Sequence, residues 1–313
     1  MTKPGQDPPP AARTFAWDGV SFLVPDGWHL AGYSFGKNLT RVQLEDDYAL
    51  RLEAEWTRPR RPPDLRKVES RFSRASKRLV RAAKRTDRLD GVLPAGSAFL
   101  YTMPDETQLV TAFLSAAEST LSCFLRIHFQ PDDREKPRAV LSLIATGFRA
   151  HVGATVPWSL YDISIELPSD FRLVSTSLQA GRKLLVFQWR LRRFYIWHFS
   201  LANILLRDRT LEEWAAEFLN SFKGIRGPTF VPGANGTVLA RRRWPYVVGH
   251  FEEIGRWCFR YQAKCVHDAK RNRVILWAYN YRRPEDVDKI PASLRAEAAS
   301  GRTSRKPAGT AEA

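Results

Sequence analysis

The residues of this sequence best suited to act on other molecules are the cations between Arg58 and Arg88. This stretch contains 13 lysines and arginines against three acidic residues. At about 100° per residue, the cations of a predicted helix over 64–88 fall within an arc of about 140°, opposite an apolar stripe. The candidate anion-binding residues are Arg66, Lys67, Arg71, Arg74, Lys77, Arg78, Arg81, Lys84 and Arg85.

Two explanations of this charged face remain open. Like charges four residues apart repel by a few tenths of a kcal/mol, so an all-cationic face is costly unless an anion binds to it. The anion would belong to an acidic protein partner, a membrane surface or the phosphate backbone of a nucleic acid. Binding to phosphates would be sensitive to salt and independent of base sequence. The alternative is a solvated face that binds nothing.

Further cations lie close to tryptophans along the chain. Arginines beside aromatic rings can stack on unpaired bases. Most of these tryptophans are nevertheless in phase with the interiors of predicted strands, so we expect them in the core; Trp244, in a predicted connection, is left open. The cations are Arg190, Arg192, Arg193 and Arg241–Arg243, and the tryptophans expected in the core are Trp189, Trp197 and Trp257.

Residues suited to catalysis or metal binding are scattered. The sequence contains no G-x-S-x-G nucleophile motif and no glycine-rich phosphate loop. On a predicted strand, Cys258 and Cys265 point to opposite faces of the sheet, so they could not bind one metal ion together. Cys265 shares a face with His267, but that face is the predicted core side. The pair Glu252–Glu253 near His250 is the one acidic pair that could line a pocket. We therefore predict no metal site, no cofactor and no enzyme activity.

Composition places the chain among folded proteins. It has 313 residues and a formal net charge of +16, and aromatic residues make up 12%. That aromatic content excludes a mainly disordered chain. No apolar run approaches the ~18 residues of a membrane span, and residues 1–13 lack a secretory signal, so we expect a cytoplasmic protein. We expect disordered tails over 1–13 and 299–313.

Two stretches of the sequence match at a constant offset. Val20–Trp28 aligns with Ile163–Phe171, and the apolar phase continues without a gap to residue 56. This match predicts a tandem duplication, with one copy over 14–150 and a second copy over 155–298.

Each copy has the same order of predicted elements. Period-two alternation predicts an opening strand and a hairpin, a 3.6-residue period then predicts a helix, and further strands and a last helix follow. The order predicts an α+β fold, in which each copy is an antiparallel sheet with helices packed on it. The helix of the second copy follows a capping box at Thr210 and Glu213. Other predicted elements are helices over 134–148 and 285–298, a strand near 246–252, and a hairpin of 256–267 with 273–281.

The opening of the first copy carries an F-x-x-P-x-G-W motif. Its residues are Phe22, Pro25, Gly27 and Trp28, echoed in the second copy by Ile165, Pro168 and Phe171. The motif and the element order resemble the PsbP-like family, whose members include a photosystem II subunit, a Ran-binding import factor and bacterial effector adaptor chaperones. The resemblance implies a binding or adaptor domain, since members are mostly non-enzymatic.

These observations predict a non-enzymatic interaction or adaptor protein with a basic binding surface. Its expected partner is an acidic protein or the phosphate backbone of a nucleic acid. The alternative function is a sequence-nonspecific nucleic-acid-binding protein that uses the basic helix 64–88.

Overall fold

The computed structural model describes residues 11–58, 65–89, 91–93, 96–116, 120–161, 163–242 and 248–290. Within the helix at 65–82, side chains are described only in part. The chain divides into two compact units, residues 1–169 and residues 170–313. Within the described ranges, no helix combines the length and the hydropathy needed to cross a bilayer.

The predicted α+β class is wrong, because the protein is built mainly of antiparallel sheets. About half of the described residues lie in strands and about a fifth in helices. The described strands form one five-stranded and two seven-stranded sheets. The excess of strand comes largely from edge strands, which bury little on either face and therefore show no alternation in the sequence.

The first unit contains the five-stranded sheet and one seven-stranded sheet. Its elements are β1 (Ala12–Trp17), β2 (Val20–Pro25), β3 (His29–Phe35), β4 (Leu39–Glu45), β5 (Leu50–Thr57), α1 (Leu65–Ala82), β6 (Arg85–Arg88), β7 (Gly96–Thr102), β8 (Gln108–Ser115), β9 (Ser122–Phe129), α2 (Pro137–Gly147), β10 (Arg149–Ala150), β11 (Thr155–Leu160) and β12 (Ile163–Pro168).

The five-stranded sheet has the order β10-β2-β1-β11-β12. Its hairpins β1–β2 and β11–β12 meet through the antiparallel pair Ala16–Ser159. Ala12 and Arg13 belong to β1, so the predicted disorder of 1–13 is wrong at its last residues, while residues 1–10 lie outside the described part. The guanidinium of Arg13 donates to the carbonyl of Trp28, and this hydrogen bond fixes the start of β1.

Helix α2 packs against β2 and fixes one face of this sheet. The predicted helix over 134–148 is confirmed in its main part, and it begins with Pro137 in the first turn, where a missing N–H costs nothing. Val140, Leu141 and Ile144 are fully buried. At Gly147 the two backbones approach so closely that a Cβ atom would lie 2.5 Å from the amide nitrogen of Leu23, which requires glycine.

The seven-stranded sheet of the first unit has the order β3-β4-β5-β9-β8-β7-β6. Apolar side chains alternate along its central strands, as in the buried pairs Leu44–Leu52 and Trp56–Cys123. The basic helix ends at Ala82 rather than at residue 88, because residues 85–88 form β6 and hydrogen-bond to β7. The predicted start of that helix at 62–64 lies outside the described residues.

The second unit contains the other seven-stranded sheet. Its elements are β13 (Arg172–Gln179), β14 (Arg182–Trp189), β15 (Arg192–Ser200), α3 (Ala202–Leu205), α4 (Leu211–Ser221), β16 (Pro228–Pro232), β17 (Thr237–Arg242), α5 (Phe251–Arg256), β18 (Arg260–Asp268), β19 (Arg273–Tyr281) and a 3-10 helix over Pro284–Lys289.

The strand order of this sheet, β13-β14-β15-β19-β18-β17-β16, matches that of the first unit position by position. Its core forms where α4 covers the centre of the sheet, with Trp214 and Phe218 packed edge-to-face on Phe199. The predicted capping box is confirmed, since Thr210 Oγ1 accepts from the Glu213 amide and the Glu213 carboxylate accepts from the Thr210 amide.

The predictions for residues 246–258 are wrong wherever the structure describes that segment. Residues 251–256 form α5 instead of a strand, and β18 begins at Arg260 instead of residue 256. Trp257, expected in the core, has a φ of +53° at the end of α5 and is 57% exposed, because the chain turns there before the strand begins. Of the helix predicted over 285–298, residues 284–289 form the 3-10 helix, and residues 291–298 lie outside the description.

Candidate functional site

Helix α1 presents a row of exposed cations. Seven lysines and arginines lie in its 18 residues, with Glu69 as the one acid. The helix is continuous over residues 65–82, so the cations whose side chains are described fall within the predicted arc of about 140°. The side chains of Arg66 and Arg71 are not described. The exposed cations of this face are Lys67, Arg74, Lys77, Arg78 and Arg81.

Two of the predicted binding residues lie apart from this row. Lys84 and Arg85 follow the helix, and each is matched by a carboxylate. Lys84 Nζ lies 2.6 Å from the Glu106 carboxylate, and Arg85 Nε lies 2.9 Å from Asp87. They therefore contribute less free positive charge than the helix cations do.

Most of the described helix cations have no carboxylate partner. Arg74 donates to Ser70 Oγ at 3.3 Å, a neutral partner one turn away. Among the residues whose side chains the structure describes, Lys77, Arg78 and Arg81 form no ion pair. We use the name cationic face for Arg66, Lys67, Arg71, Arg74, Lys77, Arg78 and Arg81.

The helix at the same position of the other seven-stranded sheet shows that the fold does not require this charge. Both α1 and α4 follow the third strand of their sheet and precede its far edge strand. Helix α4 contains three glutamates and no lysine or arginine. The positive charge is therefore a property of α1 itself.

A second group of charged side chains surrounds Glu253 in the second unit. Glu253 is 2% exposed, and its Oε2 accepts from Arg242 Nη1 at 3.1 Å and from the His250 amide at 2.7 Å. Gly227 and Gly249, both at a φ of +108°, leave room for this carboxylate. A Cβ atom at Gly227 would lie 2.6 Å from it. The carboxylate thus anchors α5 to β17.

His250, Glu252 and Glu253 do not line a common pocket, as the sequence had suggested they could. His250 is the N-cap of α5, and its Nδ1 accepts from the Glu252 amide at 3.3 Å. Glu253 alone of the three lines a cavity of about 220 Å³, where β17 separates from β18 beyond the pair Val238–Ala263.

That cavity combines cations with aromatic rings. Burial, together with the hydrogen-bonded Glu253 carboxylate, raises the pKa of Tyr261, and burial raises the pKa of Tyr281. The Arg242 guanidinium lies 5.2 Å from the centre of the Phe259 ring. Arg241 and Arg242 of the predicted arginine run line this cavity, whereas Arg243 and Trp244 lie outside the described residues.

An apolar stripe on and beside α5 is exposed, and the sequence analysis missed it. The signal was a spacing of three residues, which was overlooked because the segment was interpreted as a strand. We call this stripe, together with Leu191, the α5 patch. Its other members and their exposed fractions are Val248 (81%), Phe251 (68%), Ile254 (48%) and Trp257 (57%).

Trp189 is half-buried rather than a core residue, and cations surround its ring. The charged groups of Arg190, Arg192 and Lys289 lie 5.0–5.3 Å from its centre, which is the range of cation–π contacts. Trp197, in contrast, is fully buried, as predicted.

Each unit holds a largely buried arginine that binds carboxylates, two of them in the first unit and one in the second. In the first unit Arg51 binds Asp133 through both guanidinium nitrogens and Asp46 at 2.5 Å. In the second unit Arg192 binds Asp286 at 3.0 Å. Burial opposes ionisation of both Asp46 and Asp286, but backbone N–H donors and the arginines outweigh it, so the pKa of each lies below its ordinary value. These carboxylates remain ionised and support the fold.

The three cysteines are buried free thiols. Cys258 lies against the carbonyls of Leu191 and Arg256, and Cys265 against that of Gly236. Burial raises the pKa of Cys265 to about 12. His267, two residues further along β18, is exposed. Among the described residues, no three histidine, cysteine or acidic side chains are grouped as metal ligands would be.

Comparison with solved structures gives a distant likeness. No protein-family model and no curated protein matches the chain. A solved structure of the Saccharomyces cerevisiae Ran-binding protein Mog1p aligns with 45% of this chain and 96% of its own, at 8% identity and a TM-score of 0.31. At that score the likeness says nothing about function.

Proposed function

We propose that this chain is a non-enzymatic interaction protein whose cationic face binds an acidic surface of a partner protein. The observation that carries the proposal is the row of exposed cations Arg74, Lys77, Arg78 and Arg81 on α1, for which the described part of the structure shows no carboxylate partner. Pairs such as Arg74 with Arg78 and Lys77 with Arg81 are four residues apart, so each adds repulsion that a bound anion would relieve. The buried carboxylates described above are bound by arginines, which favours a structural role over proton transfer.

A nucleic acid is the second candidate ligand. The cationic face is roughly 23 Å long at 1.5 Å per residue, enough to follow several phosphates. A protein partner is favoured because none of the exposed side chains that the structure describes on α1 is an aromatic ring on which bases could stack. The two candidates differ in how steeply binding depends on salt.

The test is retention on a heparin column and anisotropy with labelled poly-glutamate and duplex DNA. The triple variant Arg74→Glu, Lys77→Glu, Arg81→Glu is expected to elute near the void at moderate salt and to lose poly-glutamate binding. A control with the same net charge, Arg207→Glu, Lys270→Glu, Arg271→Glu, reverses exposed cations elsewhere and is expected to stay bound. Equal retention of the two variants would contradict the proposal. The nucleic acid would be favoured if DNA binds more tightly than poly-glutamate and if the logarithm of its binding constant falls with the logarithm of the salt concentration at a slope near the number of phosphates covered.

We also propose that residues 14–150 and 155–298 descend from one duplicated PsbP-like domain. The identical strand order of the two seven-stranded sheets and the constant offset between Val20–Trp28 and Ile163–Phe171 support this origin. A further support is that Arg51 with Asp133 and Arg192 with Asp286 join corresponding strands and loops. Under this proposal the cationic face is an addition to the first copy, since α4 lacks it.

A further inference from the structure

We propose that the α5 patch is a docking site for an acidic, amphipathic segment of a partner protein. The patch lies in the second unit and is separate from the cationic face. It consists of Val248, Phe251, Ile254, Trp257 and Leu191, all of them exposed.

Part of the patch is grouped by the helix itself. Residues three apart are neighbours on a helix surface, so Phe251 and Ile254 lie side by side on α5. The backbone of Leu191 lies at the end of α5, where its carbonyl accepts from Arg256 Nη1 at 3.2 Å and contacts the Cys258 thiol. Large apolar side chains grouped in this way are typical of an interaction site, whereas single exposed ones are common on any protein.

The patch is held rigid before any partner binds. Glu253 fixes the first turn of α5 through the His250 amide and Arg242, and the backbone amide of Cys258 donates to the Glu253 carbonyl at 3.3 Å. A preorganised surface loses less conformational entropy on binding, which favours affinity.

The fold does not need this insertion to close its sheet. In the first unit the corresponding strands β7 and β8 are joined by residues 103–107 alone, with the Met103 amide donating to the Thr107 carbonyl. In the second unit residues 243–259 separate β17 from β18. The α5 segment therefore adds exposed apolar surface that sheet closure does not require.

Charge around the patch identifies the kind of partner. The Arg282 guanidinium lies 5.2 Å from the centre of the Trp257 ring, and Arg190 and Arg256 flank Leu191. Of the nearby acids, Asp286 and Glu253 are bound by Arg192 and Arg242, whereas Glu252 lies on α5 itself. Three arginines against this one glutamate give the rim a net positive charge, and tryptophan and arginine are both enriched among the residues that anchor protein interfaces.

Other occupants match this surface less well. A second copy would bring the same arginines face to face on a chain of net charge +16, and the chain's own residues 291–313 carry four cations against two acids. A nucleic acid would stack on Trp257 but would gain nothing from the aliphatic Val248, Ile254 and Leu191. An acidic segment with large apolar side chains on one face satisfies both the apolar centre and the positive rim.

The experiment uses the full chain and a fluorescein-labelled synthetic peptide of about five helical turns, with leucine and phenylalanine on one face and glutamate elsewhere. Anisotropy is expected to show binding, and a peptide of the same composition in scrambled order is expected to bind at least tenfold more weakly. Phe251→Ala and Trp257→Ala are each expected to weaken binding tenfold or more, because both residues lie at the centre of the patch. The control Val174→Ala, an exposed residue on β13, is expected to leave the affinity unchanged.

All three substituted side chains are exposed, so the variants are expected to keep the wild-type circular dichroism and Tm. Equal affinity of the wild type, Phe251→Ala and Trp257→Ala, or no preference over the scrambled peptide, would overturn the proposal.

A dimer in sedimentation that Phe251→Ala dissociates would assign the patch to a self-contact. A single-stranded oligonucleotide that binds in place of the peptide and needs Trp257 would assign it to nucleic acid. The Arg74→Glu, Lys77→Glu, Arg81→Glu variant is expected to retain peptide binding, which separates this site from the cationic face.

Discussion

At the residue scale, the buried charges of this protein are arginines held by carboxylates. The Arg51 side chain is 8% exposed and bridges Asp46, in the turn after β4, to Asp133, in the loop after β9. An arrangement of this kind costs desolvation energy to form, so its net contribution to stability is modest. Removing one partner is different, because it leaves the remaining charges buried and unmatched.

Arg51→Met is therefore expected to lower the free energy of unfolding by about 3 kcal/mol, since it leaves two carboxylates buried near each other. Urea unfolding followed by circular dichroism measures this change. The matched control is Arg85→Met, which removes an exposed pair with Asp87 and is expected to cost less than about 1 kcal/mol. Similar losses in both variants would contradict a special role for Arg51.

The same bridge predicts a pH dependence. Because the pKa of Asp46 in the fold lies below its ordinary value of 3.8, the folded state favours the ionised carboxylate. That contribution is complete above the unfolded pKa and is lost as the pH falls through the folded pKa. The wild type is expected to lose stability steadily below about pH 5, and Arg51→Met to lose less over the same range.

At the scale of the element, the helices at corresponding positions of the two seven-stranded sheets carry different side chains. Helix α4 uses aromatic residues to cover the sheet and carries its acids near the N-terminus, where the helix dipole favours them. Helix α1 is longer and carries the cationic face. Helix α5 is an insertion whose position depends on the single buried carboxylate of Glu253.

Glu253→Ala is expected to loosen α5 without unfolding the sheet. Loss of the bonds to Arg242 and the His250 amide should raise amide hydrogen exchange at Ile254, Trp257 and Cys258 at least tenfold, because their amides close the turns of α5. Native-state exchange by NMR measures this, with β19 amides as the internal reference. The control Glu252→Ala, beside the anchor, is expected to change exchange little. Unchanged protection in Glu253→Ala would show that α5 is held by other contacts.

How far the sequence predicted these elements depends on how much each one buries. The hairpin β8–β9, helix α2 and helix α4 have strong apolar periods and were predicted in place. The edge strands β3, β6, β13 and β16 were not, because a strand with one neighbour and little burial has no alternation to reveal it. The α5 patch was missed for another reason: its apolar residues suggested the buried face of a strand, and their spacing of three residues, which is typical of a helix, was not weighed.

Register is a further feature that the sequence could not show. In the gapless alignment Leu44 corresponds to Phe187, and Leu52 corresponds to Tyr195. In the sheets, however, Leu44 pairs with Leu52, whereas Phe187 pairs with Phe194. The shift arises from an irregularity between Leu44 and Glu45 in the first unit. One inserted residue reverses which side chains face the helix, and no period in either strand records it.

At the scale of the whole molecule, the net charge of +16 is a source of self-repulsion. Raising NaCl from about 20 mM to about 200 mM shortens the Debye length from roughly 20 Å to below 10 Å and screens this repulsion. We expect the Tm to rise by about 2–4 °C, measured by differential scanning fluorimetry. Each charge reversal removes two positive charges, so the triple variant of the cationic face has a net charge of +10 and should show a smaller rise. A Tm that falls with salt would indicate that attractive ion pairs dominate instead.

Two of the edge strands, β6 and β13, have different consequences for the protein in concentrated solution. Strand β6 is four residues long and carries two arginines and an aspartate, a composition that discourages addition of a foreign strand. Strand β13 has eight residues, and between Arg172 and Gln179 it carries no charge, with Val174 turned to solvent. The irregular register between Leu173 and Ser175 is its main protection. Fibrillar or lattice growth of this protein should therefore start by strand addition at β13, and a lysine introduced at Val174 would slow it.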